Sequence, residues 1–499
     1  MSRIDRIAIL LCFCSLIANA FIADPVFDNI PHLEDEYALV WQAQAAALGQ
    51  VLIPSPPSPE SFLVPFVVDE GGYRFGKYPL GFPVLLSFGL RLGVRDWVNP
   101  FIAACSLWLI YLLAKKLLDE RTALIAAFLT ATSPFFLINS ANLLTHAWSL
   151  FLSVSLALAW LDTFHSSSKI PGWLTAAVAG GSLGVLALTR PWTAVGVALP
   201  FALDGLVLLW KGRPAARFRV LAVGATASLI AVIHLLWQYV LTGSPWINPY
   251  TLWWPFDAIG LGPGIGIRPG GHTLLAGFSD AFFSLTSGAN DLFGWLWLSW
   301  LFLPLGLLAV RRSRAAWLIV SVFPSLVLAY LFYWVGAWIF GPRYYYEGMY
   351  SLTILSAAGI SWTARQLFHS HGPPIRKLSA FCFVLLLALL LTGNLVFYLP
   401  TRLGGLWGLY GADRSLLDNF QTTQAIARPP ALIIVHADKN WREYAALLQY
   451  SDPLLKSPYI FALSLDEKTD QKLAGYFPDR QVFHYYPEKP DWNSSGTTR

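Results

Sequence analysis

Long apolar runs separated by short polar turns dominate the chain, and their length suits a bilayer better than a soluble core. A membrane helix takes about 20 mostly apolar residues. Runs of that kind recur at roughly 7–23, 98–118, 121–138, 145–164, 172–189, 191–210, 219–241, 291–310, 315–338, 347–364 and 378–400. The fold class this predicts is an all-α polytopic membrane protein with about 11 transmembrane helices. Residues 79–94 are apolar but too short to cross, and are expected as an interfacial or re-entrant helix.

Polar positions fix the orientation. With eleven spans, these basic residues all fall on one side: Arg3 and Arg6; Lys115, Lys116 and Arg121; Lys169; Lys211, Arg213, Arg217 and Arg219; Arg311, Arg312 and Arg314; Arg365, Arg376 and Lys377. The positive-inside rule makes that side cytoplasmic. The transmembrane domain is then 1–400, with outer loops at 24–97 and 242–290, the latter rich in Trp, Pro and Gly. The tail, 401–499, reads as a small outer α/β domain, with strands at 431–435, 459–465 and 481–486 and helices at 441–450 and 466–476. Arg3, Arg6, an apolar stretch and Ala18-Asn19-Ala20 also suit a cleaved signal peptide. Either reading leaves 24–97 outside.

Composition agrees. Of 499 residues, 56% are hydrophobic and 13% charged, with mean hydropathy +0.52, against about 25% charged in soluble domains. The net charge of +5 comes from topology signals and calls for no nucleic-acid partner. Cys12, Cys14, Cys105 and Cys382 lie in apolar runs with neither disulfide nor metal spacing.

Candidate chemistry gathers on the outer side. Glu34-Asp35-Glu36 opens an amphipathic stretch, 38–49, and reads either as a helix cap or as a working carboxylate cluster. Lys77, Arg190 and Arg343 place cations on the face where the topology rule disfavours them. Each singly could snorkel to headgroups; three together near carboxylates suit an anionic headgroup. Asn142 and His146 begin an outer helix end, where helix packing competes with function. His32, His272 and Asp280 show no ligand spacing, so no metal site is assigned; a divalent cation at the acidic triplet is left open.

Other classes are disfavoured. No phosphate-binding glycine loop, G-x-S-x-G or H-E-x-x-H occurs. Asp162 and Asp204 sit toward cytoplasmic ends, so no carboxylate chain crosses the midplane as an ion-coupled transporter would need. In the tail, Phe483, Tyr485 and Tyr486 suit either a folded core or contact with a glycan, and Asn493-Ser494-Ser495 is a formal glycosylation sequon.

Glu34-Asp35-Glu36-Tyr37 followed by Trp41-Gln42-Ala43 and Gly49 resembles the first outer loop of GT-C integral-membrane glycosyltransferases, in the group of protein O-mannosyltransferases and the lipid A aminoarabinose transferase. The stretch from Lys77 to Pro83, Thr189-Arg190-Pro191 and Gly341-Pro342-Arg343-Tyr344 extend the likeness over nearly the whole chain. The resemblance implies transfer of a sugar from a polyprenyl-phosphate donor to a glycan, lipid or protein acceptor at the outer face of the membrane. Compact size and the lack of eukaryotic domains suggest a bacterial inner membrane. It implies Asp35 as general base beside Glu36, and Lys77, Arg190 and Arg343 at the donor phosphate. Glu34, Tyr78, Asn142, His146, Tyr344 and Tyr345 are the expected donor or acceptor contacts. Some relatives carry a second acid where this chain has Asn142 and His146, so the resemblance does not by itself carry a metal or acceptor role over to that loop. One clear base suggests a single inverting displacement. The rival functions are a lipid-linked sugar flippase and a non-catalytic membrane assembly protein.

Overall fold

Apolar helices form the frame. In the computed structural model, which describes residues 1–165, 170–336, 339–369, 373–421, 430–437 and 441–487, helix α1 (Arg3–Ala23) leads into a long first connection. Lys169 and the Asn493-Ser494-Ser495 sequon lie outside the described residues. The first connection carries α2 (Glu34–Ala47) and α3 (Gly81–Arg91). Then follow α4 (Val98–Leu117), α5 (Glu120–Ala131), α6 (Pro134–Ala141), α7 (His146–Phe164), α8 (Gly172–Thr189), α9 (Pro191–Lys211) and α10 (Pro214–Thr242). A second connection holds α11 (Pro249–Trp253) and α12 (Leu274–Asp291). The bundle continues through α13 (Leu303–Val310), α14 (Arg314–Val320), α15 (Val322–Tyr330), α16 (Met349–His369) and α17 (Pro373–Thr392).

Among the described residues, seven helices are long and apolar enough to cross a membrane, or nine if each of two bent pairs counts as one span. This differs from the expected eleven, for local reasons. The expected span 121–138 is α5 and α6, bent by 58° where Ser133-Pro134 interrupts the helix. The span expected at 291–310 bends by 95° from α12, which lies where an outer loop was expected. The expected 315–338 is the shorter pair α14–α15, broken at Ser321. The helix at the expected 347–364, α16, is walled in by its neighbours from Met349 to Ile360 and carries Ser351, Thr353 and Ser356 inside, so it need not be uniformly apolar. The short apolar segment of the first connection is α3, which buries Phe82 and Leu86 and exposes Val84 and Phe88.

The basic residues gather at one end of this frame, where acids meet them. Lys115 pairs with Asp5, Lys116 with Asp162, and Arg314 with Asp204, at 2.5–2.8 Å. The two long connections occupy the other end.

Within the first connection a small antiparallel sheet, β1 (Ile53–Pro54), β2 (Val67–Glu70) and β3 (Tyr73–Gly76), runs in the order β1-β3-β2. Gly71 and Gly72 close the β2–β3 hairpin with φ of +60° and +81°, a two-residue turn that favours glycine at both positions. After the described part of the bundle, α18 (Leu399–Gly404) and α19 (Ser415–Asp418) lead to a parallel sheet of β4 (Ala431–Val435), β5 (Tyr459–Leu463) and β6 (Gln481–Tyr485), with α20 (Trp441–Ala445) and α21 (Glu467–Tyr476). β4 is central, in the order β5-β4-β6. This unit shares its core with the first connection. Phe62 packs with Leu432, Ile434 and Ile460, and Ile30 with the Phe420–Phe461 group.

Small residues set the helix spacing where α13 meets α16. A Cβ on Gly359 would fall 2.1 Å from the Phe302 carbonyl oxygen, and one on Gly306 2.0 Å from that of Leu355. Membrane helices associate through such close approaches. Gly359→Val should therefore destabilise the bundle by about 3 kcal/mol, the upper end for overpacking. Its unfolding in detergent should fall several degrees below wild type, and an unchanged midpoint would show that the two helices do not pack this closely.

Candidate functional site

The acidic triplet opens α2, and its three members do different work. Glu36 is buried and spent on backbone: its Oε2 accepts from the N–H groups of His32 and Leu33 at 2.9 and 3.0 Å, and its Oε1 from Leu143 N–H at 2.8 Å. It caps its own helix and ties α2 to the loop before α7. Unlike Glu34 and Asp35 it does not line the main cavity, so the acid paired with Asp35 in the sequence stands apart from it in space.

That cavity, about 400 Å³, opens between the two long connections and the ends of α7, α8 and α9. Asp35 Oδ1 accepts a 2.5 Å hydrogen bond from the Tyr78 hydroxyl, and its Oδ2 lies 3.6 Å from Arg343 Nη2. The Asp35 side chain is 27% exposed and Arg343 14%. Burial alone would raise the Asp35 carboxyl, but the Arg343 guanidinium, the Tyr78 hydroxyl and Lys77 outweigh it and hold it below the usual carboxylate range. Glu34 goes the other way, raised by burial and by the charge of Asp35. Arg343 keeps an unspent donor, for its Nη1 is buried with no hydrogen-bond partner.

Lys77 follows directly on β3, so the hairpin aims it inward. Its ammonium lies 3.2 Å from Asp257 Oδ2, both side chains being only 3% exposed. The rings of Phe66, Tyr250 and Trp254 surround it at 3.6, 4.9 and 4.9 Å. Burial draws the Lys77 pKa down, while Asp257 and Asp35 oppose the shift. Asp257 in turn accepts from the Tyr333 hydroxyl and the Trp334 indole, at 3.2 and 3.1 Å.

Arg190 stands at the junction of α8 and α9, where Pro191 starts the next helix. Its Nη1 donates to Glu347 Oε1 at 2.7 Å and contacts His146 Nδ1, and its Nη2 reaches the Tyr330 hydroxyl at 3.3 Å. Glu347 is fully enclosed. Tyr344 lines the cavity and lies beneath both Arg190 and Arg343.

Of the residues singled out by sequence, Glu34, Asp35, Lys77, Tyr78, His146, Arg190, Arg343 and Tyr344 converge on the cavity. Asn142 and Tyr345 do not. Asn142 shapes its loop, accepting from Leu144 N–H at 3.0 Å, and Tyr345 packs against Phe323 and Tyr330. Sequence reasoning missed Asp257 and Glu347. The signal for each was a lone acid inside an aromatic run, Trp253-Trp254-Pro255-Phe256-Asp257 and Tyr344-Tyr345-Tyr346-Glu347.

The triplet does not form a cation cage. Glu36 is committed to backbone N–H groups, and Asp35 to Tyr78 and Arg343, so no chemistry is routed through a metal here. Among the described residues, three metal-ligating side chains come together only at His436, Asp470 and His484.

Residues 77–237 match the family of dolichyl-phosphate-mannose-protein mannosyltransferases. The whole fold is similar to ArnT from Cupriavidus metallidurans bound to undecaprenyl phosphate, with 13% identity, a TM-score of 0.55, and 95% of this chain and 89% of that one covered. The chain has the GT-C fold. The same ArnT in its apo state gives 14% identity and a TM-score of 0.55 over 95% and 88% of the two chains. The archaeal oligosaccharyltransferase AglB from Archaeoglobus fulgidus, in complex with an inhibitory peptide and a dolichol-phosphate, gives 13% and 0.52, covering 90% of this chain and 64% of that one. No curated protein matches the chain by sequence. The family match begins at Lys77 and includes Arg190, two of the three cations in this GT-C cavity.

The Lys77–Asp257 pair carries a stability consequence. Lys77→Met strands a buried carboxylate, which costs about 3–5 kcal/mol. Adding Asp257→Leu removes the stranded charge and should recover part of that loss in a thermal melt. A single variant as stable as wild type would show that the pair is not buried in solution.

Proposed function

We propose that the protein is an integral-membrane glycosyltransferase that moves a sugar from a polyprenyl-phosphate donor to a glycan, lipid or protein hydroxyl on the non-cytoplasmic face. The observation that carries this reading is one cavity wall on which Asp35 stands beside a guanidinium with an unspent donor, Arg343. A carboxylate and an anion receptor side by side are what displacement of a lipid phosphate requires. The gathering of basic residues at the opposite end of the bundle supports the outward placement.

In the proposed reaction the acceptor oxygen attacks the anomeric carbon while Asp35 takes the hydroxyl proton. The bond from that carbon to the phosphate oxygen breaks, and its electron pair leaves on the lipid phosphate. Arg343 receives the phosphate charge, with Lys77 and Arg190 lending positive potential from behind. A departing phosphate is already a stable anion, so no general acid is needed. One displacement inverts the anomeric centre. Donor binding also draws Arg343 toward the phosphate and away from Asp35, which raises the basicity of Asp35 when the acceptor arrives. Glu36 is a positioning residue, since it fixes the first turn of α2. ArnT and AglB carry polyprenyl phosphates in their complexes, which favours this donor class over a nucleotide sugar.

Asp35→Asn should abolish transfer, by about a hundredfold or more, while donor binding and yield stay near wild type. Undiminished turnover would remove Asp35 as base. The pH profile gives a second test. Because the free-enzyme carboxyl is held low, the base stays ionised as pH falls, and kcat/KM should lose activity only below the ordinary carboxylate range. Arg343→Ala removes the leading charge that opposes burial, so it should weaken donor binding and move that acid limb to higher pH. An unmoved limb would separate Arg343 from Asp35.

A further inference from the structure

The C-terminal sheet ends in a cluster that the glycosyl-transfer reading does not use. His436 follows the last residue of β4, and His484 is the fourth residue of its neighbour β6, so both imidazoles stand at the carboxyl edge of a parallel sheet. Small ligands bind preferentially at that edge in α/β sheets. Asp470 comes from α21, the helix that packs beside it. One ligand atom from each of the three lies within 4.8 Å of the others.

The carboxylate supplies an independent observation. Asp470 is 5% exposed, and its Oδ2 accepts from the Ser464 hydroxyl at 2.7 Å, yet its Oδ1 has no hydrogen-bond partner. Among the described residues it makes no salt bridge. A buried carboxylate with an orphaned oxygen is costly unless a cation satisfies it. Both histidine rings are held in place: His436 stacks on Tyr486 with centroids 4.4 Å apart, and its Nε2 lies 2.7 Å from His484 Nδ1.

We propose that His436, His484 and Asp470 form a divalent transition-metal site that takes zinc, with a fourth position for water or an exogenous anion. Two imidazoles and one carboxylate favour a borderline ion over magnesium or calcium, which prefer oxygen donors. Three protein ligands leave zinc one open position. Without metal, one ring donates its N–H to the other across the 2.7 Å contact. When zinc takes both lone pairs, that proton moves through solvent to the other nitrogen of its own ring, and the two ligating nitrogens spread to about 3.3 Å, the edge of a tetrahedron with zinc–nitrogen bonds near 2.05 Å. Ser464 orients the carboxylate from behind, as outer partners of metal ligands do. The bound ion ties β4, β6 and α21 together at the edge of the unit that packs on the first connection.

The test uses the full-length protein in detergent, stripped with a chelator and titrated with zinc against a chromophoric competitor. One tight equivalent per chain is expected, with a rise in the unfolding midpoint. His436→Ala/His484→Ala should lose that equivalent while eluting as wild type, and Asp470→Asn should weaken it roughly tenfold or more. Asp35→Asn should keep it, which separates this site from the transfer site. X-ray absorption on the zinc-loaded wild type reads the donor set directly, whatever the variants do, and should show imidazole scattering from two histidines. Failure of the wild type to bind an equivalent would overturn the proposal. So would retention of that equivalent by the double histidine variant, or a spectrum without imidazole.

Discussion

A charge removed from water must find its counter-charge, and the upper half of this molecule is arranged around that requirement. Three cations come from three separate elements: Lys77 after a hairpin, Arg190 between two helices, Arg343 before α16. Each meets an acid far away in sequence. Lys77–Asp257 and Arg190–Glu347 are closed, at 3.2 and 2.7 Å, with both acids buried. Arg343–Asp35 is open by comparison, at 3.6 Å, and its acid is the more exposed one, at 27%. The first two pairs hold the wall in shape, since breaking either leaves a buried charge alone. The third keeps donor and acceptor capacity for something that arrives.

Aromatic rings let those charges sit so deep. Phe66, Tyr250 and Trp254 shield the Lys77 ammonium while giving it the negative faces of their rings, and Phe66 meets Trp253 and Trp254 edge-on. The first and second connections are thereby locked to each other at the cavity. The C-terminal sheet buttresses the same arrangement from the other side. Arg95 donates to Gln449 at 2.8 Å, Arg414 bridges to Asp24 at 2.9 Å, and Phe62 lies within the sheet's own core. The cavity wall and the tail therefore share one support.

Much of this was legible in the sequence because hydropathy and charge are local signals. Apolar length marked the helices, and the cations that break the topology rule marked the cavity: Lys77, Arg190 and Arg343 all line it. What stayed hidden depends on partners distant in the chain. Asp257 is separated from Lys77 by 180 residues and Glu347 from Arg190 by 157. Neither spacing leaves a pattern, and a lone acid in an aromatic run reads as loop decoration. The triplet misled for the opposite reason. Three adjacent acids cannot face one way at the start of a helix, because successive residues turn by about 100°; Glu36 consequently points back to the backbone while Glu34 and Asp35 face the cavity. The count of long apolar helices departs from eleven where packing replaces lipid. Wrapped by other helices, α16 can carry hydroxyls inside, and α14–α15 can break at Ser321.

The depressed Asp35 pKa bears on the mechanism proposed for it. A carboxylate held low is a poor base in the resting site, and a reaction that required full deprotonation of a hydroxyl before attack would stall there. Displacement of a lipid phosphate makes no such demand. The leaving group departs as a stable anion, the anomeric carbon gains positive character early, and the attacking hydroxyl becomes acidic only as its bond to carbon forms. The proton then moves late, to a base that need only be near and ionised. The same guanidinium that weakens Asp35 at rest is the one the phosphate would claim, so in this scheme basicity rises when both substrates are in place. Holding the base weak until then keeps its affinity for a stray proton low.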